Sequence, residues 1–311
     1  MYPAYVTKGT QKWEELYGAR LNKISILQNR TNISELSGGL TNTNLAIDTP
    51  QGRFVARMSS NESSALAIDR ESEYRNSRIA AEAGIGAPVY DYLPGEGVLV
   101  IGFLEGRTYG PSDVKENLPR IAESLRVLHS APPFVREFNM IDIQQRYLAT
   151  VQEKGFRIPE SYLSYQPHLA RLVAALAVLD EGTVPCNNDL LPGNFIDDGS
   201  KIWLIDYEYS GNNDACFELG NVWSEASLSF EYLQPLVDAY YGRHRPEKFA
   251  RAWLLALLAK YGWMLWASIQ DSISTMDFDF WGWGMEKYER AESDFNSPRF
   301  EQMLEAVTRP S

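Results

Sequence analysis

The stretch NNDLLPGNFIDDGSKIWLIDYEY, residues 187–209, constrains this chain more than any other. Asp189 is followed five positions later by Asn194 and, after a turn and an apolar strand, by Asp206. Taken singly, these residues read as local structure: Asp189 opens a turn that Pro192 and Gly193 continue, and Asp206 caps a strand, as Asp and Asn commonly do. Taken together they describe a chemistry. Phosphoryl transfer from ATP needs one carboxylate to accept a hydroxyl proton, and oxygen ligands to hold Mg²⁺ across the phosphates. Asp189, Asn194 and Asp206 supply those functions in the expected order, with IWLI delivering Asp206 from a strand end.

A length of 311 residues exceeds the usual size of one compact core, so two lobes sharing a cleft are expected. From Asn32 to Arg57 the pattern is strand-like: ISELSGGLTNTNLAID, a TPQG turn and RFVARM form a hairpin plus a loop. Residues 64–84 have helical spacing and end at Gly84, as a helix closed by a C-terminal glycine does. Two more strands follow in APVYDYL and GVLVIGFL. After Gly106 the character turns helical in ENLPRIAESLRVLHS, HLARLVAALAVLDEG and a long apolar stretch from Phe249 to Ser274. The reading is α+β: a small strand-rich lobe over residues 1–104, joined near Phe103 to Gly106 to a larger helical lobe over 105–311. Clefts between such lobes hold ligands.

In the first lobe LSGGLTNTN sits where a glycine-containing loop would cover nucleotide phosphates, which makes Ser37, Gly38, Gly39, Thr41 and Asn42 candidate nucleotide contacts. Arg57 ends the following strand and is a cation for phosphate oxygens. Glu73, on the next helix, is its expected ion-pair partner; Glu71 begins the same helix and is the alternative. Glycines and an arginine in such a setting are most often just a turn. Their order ahead of Asp189 gives them weight.

The motifs LSGGLTNTN, FVAR, the R-x-x-E from Arg70 to Glu73, NNDLLPGNF and LIDYEYSGNND resemble the choline/ethanolamine kinase family. That resemblance covers most of the chain and implies an aminoglycoside phosphotransferase-like fold related to protein kinases. ATP would lie at the hinge beside Phe103, with the substrate in the helical lobe. Asp189 would be the catalytic base, and Asn194 and Asp206 the Mg²⁺ ligands. The resemblance also gives meaning to Trp263 and Trp266, three apart on a predicted helix, and to Trp283 beyond them. A quaternary ammonium has no N–H to donate and is bound by aromatic faces, so these tryptophans are either a cation cage or ordinary helix core. Glu225 matches a family acidic residue near the substrate cation; its plainer reading is an exposed helix glutamate.

Two departures from the family pattern stand out. Asn187 occupies the place of a histidine two residues before the catalytic aspartate, and the downstream segment reads Asn213, Asp214, Ala215 and then Glu218 in place of NDP and a later Asp. Asparagine retains the capacity to hydrogen-bond to backbone.

A formal net charge of −12 argues against nucleic-acid or anionic-membrane partners. No run approaches a membrane span and the first residues carry no secretory pattern, so a cytoplasmic protein is expected. Cys186 and Cys216 form no disulfide framework and are expected as buried thiols. His129, His168 and His244 lie far apart in sequence and near no cysteine or acidic cluster of metal-ligand spacing, which argues against a histidine-based zinc hydrolase, and no GxSxG nucleophile elbow occurs. The sequence thus predicts an ATP- and Mg²⁺-dependent kinase acting on the hydroxyl of a small cationic alcohol, with choline ahead of ethanolamine. Aminoglycoside or thiamine-type acceptors, and a catalytically impaired kinase-like binding module, are the alternatives.

Overall fold

The computed structural model describes residues 10–36, 38–59, 66, 68–179 and 182–309. Helix α1 (Thr10–Leu21) precedes an antiparallel meander of β1 (Asn32–Leu36), β2 (Asn42–Thr49) and β3 (Gly52–Ser59). With β4 (Val89–Leu93) and β5 (Val98–Gly102) these form a five-stranded sheet in the order β1-β2-β3-β5-β4. Side chains alternate across a strand. Phe54, Ala56 and Met58 therefore join Leu45, Ile47, Val98 and Val100 in a core under Trp13 and Leu21 of α1. Arg57, between Ala56 and Met58, points to the other face.

Helix α2 (Arg70–Glu82) lies between β3 and β4. It starts six residues later than its apolar spacing suggests, because the Asp69 side chain accepts the Ser72 N–H at 2.9 Å and caps the first turn. It ends before Gly84, whose φ is +75°, as expected from the sequence.

Beyond the sheet come α3 (Pro111–Glu116), α4 (Leu118–His129), α5 (Met140–Lys154) and α6 (Gln166–Leu176). After β6 (Arg107–Thr108), the remaining short strands make two small ribbons. β7 (Val184–Cys186) pairs with β10 (Gly211–Asn213), and β8 (Phe195–Asp197) lies between β6 and β9 (Ile202–Leu204). Helices α7 (Ala215–Glu225), α8 (Leu233–Tyr241), α9 (Pro246–Ile273), α10 (Phe280–Phe295) and α11 (Pro298–Val307) complete the described fold.

Helix α9 is the axis of the helical part. It runs 28 residues and is buried on every face from Ala250 to Gln270, against α5, α7, α10 and α11. The expectation that no run approaches a membrane span needs correcting: α9 is long and apolar enough to cross one, yet its most apolar stretch is buried inside the fold. A helix apolar all round belongs either to a bilayer or to a core. Of the cations it carries, Arg251 pairs with Asp214 and Lys260 with Asp294, while Lys248 stands over the Tyr241 ring.

Close approach of α7 to α9 depends on Gly220. A Cβ there would stand 2.2 Å from the carbonyl oxygen of Ala252. Gly220→Ala must therefore lever the two backbones apart, and is expected to cost roughly 1–3 kcal/mol. A lower urea midpoint, with the slope unchanged, checks this; an unmoved midpoint would mean that the crossing has slack.

Candidate active site

Asp189 sits in the loop after β7, and the loop's backbone is held by side chains of α7, of Asn194 and of the loop itself. Buried N–H groups require partners. Glu218 of α7 accepts the N–H groups of Asn187 (2.6 Å) and Asn188 (2.9 Å) with one oxygen and meets His129 Nε2 at 2.7 Å with the other. The Asn221 side-chain oxygen accepts the Leu190 N–H at 2.7 Å. Asn188 takes a left-handed φ of +68°, fixed by its amide donating to the Tyr209 carbonyl (3.1 Å) and accepting from Asn213 (2.9 Å).

The two departures from the family pattern are structural parts of this loop. Asn187 donates to the carbonyls of Ile205 (3.0 Å) and Asp206 (2.9 Å) and accepts the Asp189 N–H at 3.1 Å. One side chain thus ties Asp189 to Asp206, which itself sits at φ +64°. Asn194 is drawn in by its amide, which donates to the Asp189 carbonyl at 2.7 Å and leaves the side-chain carbonyl as the oxygen suited to a cation.

Asp206 is tied into a charge network centred on the buried Arg57. Arg57 reaches Asp206 at 2.6 Å and meets Glu73 at 3.1 Å, so the expected strand–helix ion pair forms. Glu71 plays no part: it pairs with Arg75 on the exposed face of α2. Arg70 joins Glu73 (2.7 Å) to Glu208 (3.2 Å). Burial opposes the charge on Arg57, but Asp206, Glu73 and Glu208 outweigh it and raise its pKa further. Burial, and then the charge of Asp206, push Glu208 up to about 7. Asp189 is raised well above the ordinary carboxylate range by burial first, and then by Asp206, Glu225 and Glu208, with Lys287 pulling the other way.

The glycine-containing loop lies against this network. Thr41 Oγ1 donates to Glu208 at 2.7 Å, and the Asn42 amide donates to the same carboxylate at 2.8 Å. The polar groups expected to meet phosphate are thus engaged by an acid that sequence reading did not single out. Gly39 is required by the turn, since a Cβ would come within 2.5 Å of the Asn42 carbonyl oxygen. Gly38 has φ +108° and is exposed; Ser37 lies outside the described residues.

A cleft opens beside Arg57, Glu73 and Asp206, walled by Ala87, Leu99, Ile101 and Ile205. These apolar residues, none foreseen as site residues, give it one greasy side. Phe103 leaves β5 half-buried, with the Arg53 guanidinium 4.1 Å over its ring.

On the helical side, Trp263 and Trp266 of α9 are 4% and 5% exposed. Both meet Tyr209, three residues beyond Asp206: Trp263 edge-on with centroids 5.2 Å apart, Trp266 by donating its indole N–H at 2.7 Å. Trp283 of α10 is half-buried and packs edge-on to Trp266 at 5.3 Å. The three tryptophans therefore share one aromatic cluster with Tyr209. Glu225 is not an exposed helix residue: its side chain is 5% exposed, and Lys287 bonds its two oxygens at 2.7 and 2.6 Å.

Tyr209, Glu208 and Lys287 are the principal omissions of the sequence reading. Glu208 had a local signal, a second carboxylate two residues after Asp206 in DYEY. Lys287 had none. The fold also brings together His129, Cys186 and Glu218, which sequence separation hid, within 4.8 Å. Glu218 spends its oxygens on the Asp189 loop and on His129, and Tyr240 takes the other His129 nitrogen at 2.7 Å, so this trio is a buried support. Both cysteines are buried and free, as expected.

Comparison with known proteins identifies the family and the fold. The family profile described as choline/ethanolamine kinase matches residues 33–254. Ethanolamine kinase 2 of Rattus norvegicus is 29% identical over 245 residues, 69% of this chain and 63% of the rat protein, so the match spans under two thirds of that relative. The crystal structure of a choline/ethanolamine kinase family protein from Mesorhizobium loti superposes with a TM-score of 0.83 at 26% identity, over 94% of this chain and 98% of that one. An aminoglycoside 2′-phosphotransferase bound to GDP shares the fold at a TM-score of 0.63 and 13% identity, over 93% and 99% of the two chains. With the two-lobed, kinase-like fold in place and the family profile matched across well over half its length, the chain belongs to the choline/ethanolamine kinase family.

Proposed function

We propose that this protein is a kinase that uses ATP and Mg²⁺ to phosphorylate the hydroxyl of a small cationic amino alcohol, choline or ethanolamine. The observation that carries the proposal is the joining of Asp189 to Asp206 through Asn187, opposite the Arg57–Glu73 pair. Residues 1–104 would hold the nucleotide and residues 105–311 the acceptor, with ATP drawn from the cytoplasm.

The apolar wall of Ala87, Leu99, Ile101 and Ile205 would take the base, with Phe103 beyond it on the chain leaving β5, and Arg57 in the same cleft would be the cation for phosphate oxygens. The donor set also suits Mg²⁺. Asp206 and Asn194 offer hard oxygens, and the neighbouring acids Asp189 and Glu208 are pushed towards protonation by burial first and then by the charge of Asp206, a repulsion that a divalent cation would relieve. When bound, Mg²⁺ supplies charge neutralisation across the phosphates.

Asp189 orients the acceptor hydroxyl and takes its proton. Its raised pKa makes it a better base than an ordinary surface carboxylate. Tyr209 and the tryptophans give the acceptor's methylated or primary ammonium an aromatic surface beside that base.

Coupled ADP release across choline, ethanolamine, thiamine and aminoglycosides tests the reading: stimulation by choline or ethanolamine is expected. Stimulation by another acceptor alone would move the substrate class, and none with any acceptor would leave a binding module. Asp189→Asn should lower kcat by about 10²–10⁴-fold with nucleotide affinity unchanged. The same variant has a stability signature. Because the native pKa of Asp189 is raised, the folded state holds its proton more tightly than the unfolded chain, and ionisation costs stability as pH rises from the ordinary carboxylate range through the raised value. Asp189→Asn should flatten the loss of thermal midpoint over that window; parallel melting profiles would contradict the assigned shift.

A further inference from the structure

Lys287 and Trp283 lie four residues apart on α10 and so share a face of the helix. The Lys287 ammonium stands 4.2 Å over the Trp283 ring while bonding both oxygens of Glu225, and the lysine is 6% exposed. A carboxylate and a tryptophan face converging on one ammonium is the chemistry of a cation-binding subsite. The subsite adjoins Trp266, which touches Trp283. Through it the subsite is joined to the segment after Asp206, since Trp266 donates its indole N–H to Tyr209 at 2.7 Å. The cation in it belongs to the protein.

We propose that Lys287 is a specificity-determining residue: a tethered cation that fills the acceptor's cation subsite, so that an acceptor ammonium must displace it from Glu225 and Trp283 in order to bind. This rests on the reading of the Trp263, Trp266 and Trp283 cluster as the acceptor pocket. Two like charges cannot share one carboxylate and one ring face without mutual repulsion in a partly dry site. Lys287 therefore weakens every cationic acceptor and leaves an uncharged alcohol of the same shape comparatively unaffected.

The test compares equilibrium binding, read by tryptophan fluorescence and calorimetry, of choline and of its uncharged isostere 3,3-dimethylbutan-1-ol. Lys287→Met is expected to bind choline about tenfold more tightly than the native protein, the gain of roughly one vacated cation–π and ion-pair contact, with the isostere shifted much less. Lys287→Arg, which keeps the charge, should stay near the native value. Choline binding that is unchanged or weaker in Lys287→Met, or an equal gain for both ligands, overturns the proposal.

If Lys287→Met leaves Glu225 too costly to bury and the variant fails to fold, Glu225→Gln/Lys287→Met removes that carboxylate as well. It should still gain for choline, by less, through the vacated Trp283 face, and no gain overturns the proposal. Binding is read without turnover, so absence of ADP release in every variant would sink the kinase reading alone. A tighter choline complex in Lys287→Met would still stand.

Discussion

Arg57 is the interaction point on which the site depends. Its guanidinium lies between Glu73 on α2 and Asp206 after β9, so the sheet, the helix and the segment bearing the predicted metal ligand meet at one buried cation. Glu208 and Arg70 close the network, and the glycine-containing loop is hung from it through Thr41 and Asn42. Buried ion pairs of this kind contribute little net stability, but removal of one partner strands the others at a cost of about 3–5 kcal/mol. The cluster therefore acts as a geometric lock. It sets where Asp206 stands relative to β3.

The Asp189 loop shows how a departure from a family pattern is absorbed. Asparagine at position 187 keeps two donors and an acceptor in play and uses all three, on Ile205, Asp206 and Asp189. Glutamate at position 218 reaches two loop N–H groups and a histidine at once. The hydrogen-bond requirements of the loop are met by different side chains, and the backbone is held all the same.

What could be read from sequence follows from distance along the chain. Asp189, Asn194 and Asp206 were legible because a turn and one short strand set their spacing. Arg57 and Glu73 were legible because an ion pair between successive elements recurs in kinases. The start of α2 was misplaced because residues before Asp69 continue the apolar pattern, while the cap that overrides it is a single hydrogen bond. Lys287 was invisible: its partner Glu225 is 62 positions away, and only the packing of α7 against α9 and of α9 against α10 brings the two together. The long apolar stretch was recognised as helix, but its resemblance to a membrane span was not. Apolarity on all sides reports burial without saying by what.

That burial of α9 also divides the proposed acceptor pocket into a fixed wall and an adjustable one. Trp263 and Trp266 belong to a stretch of helix with no free face, where any change of volume is felt by the helices packed around it. Trp283 and Lys287 belong to α10, which keeps exposed residues such as Glu286 and Glu289 on its outer side and can shift with less disturbance. Across descendants of this chain, new acceptor preferences should accumulate on α10 while the tryptophans of α9 stay as they are.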